Sequence, residues 1–74
     1  MKFIIKHEMK GRMRVRLSQK RMTYEQADIL QYYLLCNESV KLAKVYDRTC
    51  DAVINYTGDR EDVIRLLQEF HYQT

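Results

Sequence analysis

Gly11-Arg12-Met13-Arg14-Val15-Arg16-Leu17 alternates arginine with apolar side chains. Successive residues of a strand point to opposite faces, so this spacing predicts a β-strand with one basic face and one face buried in a core. The odd-numbered run continues upstream through Met9, His7, Ile5, Phe3 and Met1. Unbroken, a strand of that length would span roughly 56 Å at about 3.3 Å per residue, too long for a small domain. A bulge or break near Lys10-Gly11 is therefore expected, where glycine tolerates the necessary dihedrals. On this parity His7, Met9 and Met13 are assigned to the core side, His7 as a hydrogen-bonded core or edge histidine and the methionines as packing.

Downstream, Ser18-Gln19-Lys20-Arg21-Met22 leads into a helix. Thr23 reads as its N-cap and Gln26 completes a capping box. Ala27, Leu30, Tyr33 and Leu34 form its apolar stripe, which ends near Cys36 at Asn37-Glu38-Ser39. Val40 to Asp47 reads as a second strand, Arg48-Thr49-Cys50-Asp51 as a turn, and Ala52 to Tyr56 as a β-branched and aromatic third strand, the pair forming a hairpin. Gly58-Asp59 opens a second helix, with Asp59 as N-cap and Glu61 and Asp62 suited to its positive start. Val63, Leu66, Leu67 and Phe70 supply its buried stripe, and His71-Tyr72-Gln73 is assigned a short final strand.

The predicted fold is thus α+β: a ferredoxin-like βαββαβ sandwich, four antiparallel strands with two helices on one face. Its first strand lies in the middle of the sheet and turns Arg12, Arg14 and Arg16 outward, with Val53 and Asn55 outward on the third strand. Three neighbouring cations repel one another, so the arrangement calls for a nearby carboxylate or an acidic partner.

The 74 residues make one domain, 1–74, with 13 Lys+Arg against 10 Asp+Glu, a net charge of +3 and a pI of about 9.0. At 46% hydrophobic and 31% charged the composition is that of a globular chain, not a disordered one. No apolar run approaches the roughly 20 residues of a membrane span, and the N-terminal apolar stretch is too short for a signal peptide. The expectation is a soluble, cytosolic domain whose two cysteines, Cys36 and Cys50, are free thiols. Of the two, Cys50 is expected to be the more exposed, in a turn after Arg48 and open to some thiol reactivity. Enzymatic readings fail for want of a nucleophile with a base, a Gly-rich phosphate loop or a carboxylate pair. RNA-recognition domains share the layout, but they stack bases on aromatics of the two central strands, where this chain offers arginines, Val53 and Asn55.

The segments Gly11–Arg16, Gln26-Ala27-Asp28-Ile29-Leu30, Val40–Val45 and Arg48–Val53 together resemble the heavy-metal-associated domains of metal-transporting P-type ATPases and of copper chaperones. Of the two, the closer resemblance is to the former, to a divergent N-terminal subgroup in bacterial transport ATPases. The resemblance implies a cytoplasmic-side module of a copper-, zinc- or cadmium-type pump in the cell membrane, part of a longer protein. The parent would be an ATP-driven translocase, whereas the domain alone is no enzyme. Classical members of this family bind a soft ion through Cys-x-x-Cys between the first strand and first helix. Here that loop is Ser18 to Thr23, without a thiol and with Lys20 and Arg21, which repel a cation. No metal or other cofactor is expected, and the remaining candidate ligands are Met22, Cys50 and Cys36. The expected role is docking: Arg12, Arg14, Arg16, Lys20 and Arg21 contact an acidic cytosolic domain of the same transporter, without nucleic acid and without membrane insertion. The alternatives are a stand-alone metal-ion chaperone and a small RNA-binding module.

Overall fold

The computed structural model describes residues 1–72. Its elements are β1 (Phe3–Met9), β2 (Arg12–Leu17), α1 (Tyr24–Leu35), β3 (Val40–Tyr46), β4 (Asp51–Tyr56) and α2 (Arg60–Glu69). One antiparallel sheet in the order β1-β2-β4-β3 carries both helices on one face, the small ferredoxin-like α+β fold read from the sequence. No helix among the described residues is long and apolar enough to cross a membrane.

The order of elements is ββαββα, not βαββαβ. The break at Lys10-Gly11 is a complete reversal: Met9 pairs with Arg12, and Gly11 takes a φ of +80°, a region open to glycine at no steric cost. A Cβ there would also come within 3.3 Å of the Tyr56 carbonyl oxygen, and the Gly11 carbonyl accepts from the Tyr56 N–H at 2.9 Å. The expected last strand is absent at His71 and Tyr72, and Gln73 lies outside the described residues.

These two departures compensate. The edge position beside the central strand is filled from the N-terminus instead of the C-terminus, leaving the sheet order of the ferredoxin-like sandwich unchanged. The chain start sits where the second helix ends, since the Met1 ammonium donates to the carbonyls of Gln68 at 2.8 Å and Phe70 at 2.9 Å. The fold is a circular permutation of the predicted one.

Met13, Val15 and Leu17 of β2 and Ala52, Ile54 and Tyr56 of β4 face the helices and pack against Ala27, Leu30, Leu34, Val63 and Leu67. Burying each large aliphatic side chain of this set contributes about 1.5–3 kcal/mol. The α1 capping box forms as read: Gln26 N–H donates to Thr23 Oγ1 and Thr23 N–H to Gln26 Oε1, both at 3.1 Å. Asp59 stands at the N-cap of α2 but makes no side-chain cap bond.

Candidate functional site: the helix-free face of the sheet

The candidate surface is built on β2. Alternation turns Arg12, Arg14 and Arg16 away from the helices, and the antiparallel register sets Asn55, Val53 and Asp51 of β4 directly across from them. β3 adds Leu42, Lys44 and Tyr46 on the far side.

On β1 the register shifts between Ile5 and His7. A bulge inserts one residue and reverses the phase of the strand beyond it. Phe3 and Ile5 therefore pack on the core, whereas His7 and Met9 pair with Arg14 and Arg12 on the outer face. The odd-parity assignment of His7 and Met9 to the core side is corrected accordingly: both are exposed, Met9 at 59%. Ile4, Leu42 and Tyr46 are also exposed. The face thus has a cationic middle with apolar side chains on both outer strands.

Asp51 is the hub. Its carboxylate accepts from Arg14 Nη2 and from Arg16 Nε, each at 3.2 Å, and Lys6 Nζ stands at 4.0 Å. The carboxylate side chain is 2% exposed, whereas the two arginine side chains are each 48% exposed. Burial pushes the Asp51 carboxyl up, but the Arg16 hydrogen bond, with Lys6 and Arg14, outweighs it and holds the group below the usual carboxylate range. One buried anion therefore neutralises part of the cationic row and fixes its side chains, as the arginine spacing required.

Lys6, Arg12, Arg14, Arg16 and Lys44 stand on this face with the single acid Asp51. They are five of the chain's 13 Lys+Arg and one of its 10 Asp+Glu, so the side chains of the face sum to +4 and those of the remainder to −1. Arg12 makes no ion pair among the described residues. Lys6, His7, Met9, Arg12, Arg14 and Val53 line a groove of about 490 Å³ along the β1 side. Beside Arg12, Asn55 Oδ1 is buried without a hydrogen-bond partner among the described residues. Tyr46, on an outer strand, lies under the cations of Lys44 at 5.5 Å and Arg14 at 6.0 Å, within cation–π range.

Of the residues singled out in the sequence, Arg12, Arg14 and Arg16 share this face. Lys20 and Arg21 are exposed in the loop between β2 and α1, beyond the end of the strand. Lys6, Lys44, Tyr46 and Asp51 escaped the sequence reading as members of the site. Asp51 was within reach, since it continues the outward alternation of Val53 and Asn55. Lys6 was not, because the bulge hides its facing.

The candidate metal ligands are placed differently from expectation. Both cysteines are free, but Cys50 is buried and Cys36 exposed, the reverse of the predicted exposure. Cys50 takes a φ of +58°, and its carbonyl accepts from Leu17 N–H at 2.8 Å, which draws the β3–β4 turn under the end of β2. Met22 is buried in the adjoining loop. Cys36 caps the opposite end of α1, about 18 Å along a helix of this length, so the three do not converge. No group of three or more His, Cys, Asp or Glu side chains placed to hold an ion occurs among the described residues.

No family model matches the chain, and neither does any curated protein or solved structure.

Proposed function

We propose that this domain is a docking module that holds an acidic partner on the helix-free face of its sheet. We further propose that it serves as the metal-site-free, regulatory N-terminal module of a cation-transporting P-type ATPase. The first part rests on the Asp51 cluster. Arginine offers five N–H donors, and Arg14 and Arg16 each spend one on Asp51. The remaining donors belong to two half-exposed arginine side chains held side by side by a buried anion, which lowers the ordering cost of binding a carboxylate. The second part rests on the sequence resemblance, with Lys20 and Arg21 in the loop where that family carries its thiols.

The module would act by binding, not by chemistry: engaging an acidic cytosolic surface in one conformational state and not another shifts the balance between them. The test is charge reversal in the full-length protein. If the reading frame continues past Thr74 into membrane spans, Arg12→Glu with Arg16→Glu should change metal-stimulated ATP turnover, while Lys10→Glu, in the β1–β2 turn, should not. Unchanged turnover in the double variant overturns regulatory docking through this face. Titration of the reduced domain with Cu(I) or Zn(II) tests the rival carrier reading, which tight stoichiometric binding would favour.

A further inference from the structure

We infer that the partner element seated on this face is an amphipathic α-helix, lying along the two central strands β2 and β4 with a ridge of acidic residues at i, i+4 and i+8 and apolar residues on both sides of that ridge. The inference rests on the docking reading above and specifies what docks.

Arg12, Arg14 and Arg16 are alternate residues of one strand, so their Cα atoms stand about 6.6 Å apart and span about 13 Å. Residues four apart on a helix follow one ridge at intervals of about 6 Å, and i to i+8 spans about 12 Å. The two rows match in step and in length. Arg14 and Arg16 lean over β4 to reach Asp51, so a helix seated on the ridge lies between the two central strands. β1 and β3 then stand about 7 Å to either side of its axis, just beyond the radius of about 5–6 Å of a helix with its side chains, roughly half its width of about 10–12 Å. Flanking residues at i+1 and i+5 on one side, and at i+3 and i+7 on the other, then reach the exposed Ile4 and Met9 of β1 and Leu42 and Tyr46 of β3.

An extended peptide fits the arginine spacing equally well but not the surface. Laid across the face of a sheet it finds no ladder, and its backbone N–H and C=O groups are desolvated without partners. A helix satisfies its own backbone and is the usual cover for a sheet face. A second copy placed face to face sets +4 against +4. An anionic bilayer would meet the cations, but it favours apolar side chains that protrude, whereas here Lys6, Met9 and Arg12 line a concavity.

The test uses the whole chain and four probes. The first is a side-chain-stapled helical peptide with Glu at i, i+4 and i+8 and Leu at the flanking positions. The second is a stapled peptide of the same composition with the Glu ridge scrambled, the third an oligoglutamate, and the fourth vesicles of phosphatidylcholine with phosphatidylserine. The expected result is binding of the ridge peptide at least tenfold tighter than the scrambled one. Amide chemical-shift changes should be confined to β2, β4 and the outer-strand residues facing the peptide. Arg12→Glu, outside the Asp51 cluster, should weaken binding at least tenfold, and Leu42→Ser should weaken it with the far-ultraviolet dichroism unchanged. Equal binding of ridge and scrambled peptides on this face overturns the helix inference and leaves acidic docking standing. Binding to vesicles alone, or to no acidic peptide, overturns both, and concentration-dependent self-association that blocks the face overturns the helix inference in favour of a second copy.

Discussion

Arg16 and Asp51 are direct cross-strand partners on the two central strands, and their side chains meet at 3.2 Å with the Asp51 side chain buried and the Arg16 side chain half exposed. The pair is therefore asymmetric. Removing the anion leaves three cations crowded together, whereas removing one cation leaves the anion two others.

Asp51→Asn should destabilise the fold by about 1–3 kcal/mol, the range for losing a charge-assisted buried hydrogen-bond acceptor. The folded-state pKa of Asp51 lies below its ordinary value, so its contribution is present above the unfolded carboxylate pKa and is lost as pH falls through the folded one. Urea midpoints from pH 6 to pH 2 should show the wild type losing stability over that window. The Asn variant should lose less.

Gly11 and Gly58 both adopt positive φ, at +80° and +84°, but only Gly11 faces backbone at 3.3 Å. Alanine at 58 should cost about 1 kcal/mol, the strain of an L-residue in that region. Alanine at 11 should cost more, because the Tyr56 carbonyl that crowds it belongs to a central strand. Thermal midpoints in the order wild type, G58A, G11A check this.

The two helix starts differ in kind. Thr23 closes a reciprocal box with Gln26, whereas Asp59 makes no side-chain cap bond. Thr23→Ala should cost about 1 kcal/mol. Asp59→Ala should cost less than half of that, measured by denaturant titration of both.

The Met1 ammonium donates to two carbonyls at the end of α2, where a cation also complements the helix dipole. Acetylating it should lower stability by about 0.3–1 kcal/mol. An N-terminal extension should do the same, and the loss should shrink at high salt. A stability unchanged by acetylation would show that the ammonium does not bind there in solution.

The two thiols should separate in rate. Cys36 is exposed and Cys50 buried, so a disulfide reagent should modify one equivalent at once and the second only through opening of the fold. Cys36→Ser should remove the fast phase alone. A fast phase that survived this substitution would place Cys50 at the surface.

The local patterns of the chain carried most of its secondary structure. The arginine alternation, the Thr23–Gln26 box and the β-branched run before Tyr56 each act within a few residues, so they read directly as β2, α1 and β4. The outward row of Arg12, Arg14 and Arg16, and its need for a carboxylate, came from the same two-residue period. The phase of β1 was hidden, because one inserted residue at Lys6 sends His7 and Met9 outward while leaving the composition of the strand intact.

The sequence by itself determined the strands and helices from β2 to α2 and which of their residues share a face, because the periods of 2 and 3.6 residues are properties of the backbone. Only the tertiary structure decided that the edge strand comes from the N-terminus, that Asp51 is buried beneath Arg14 and Arg16, and that Cys50 rather than Cys36 is enclosed. Those outcomes depend on which distant segments pair, and strand pairing across 35 or more residues is settled by the whole core being filled at once, which no local pattern encodes.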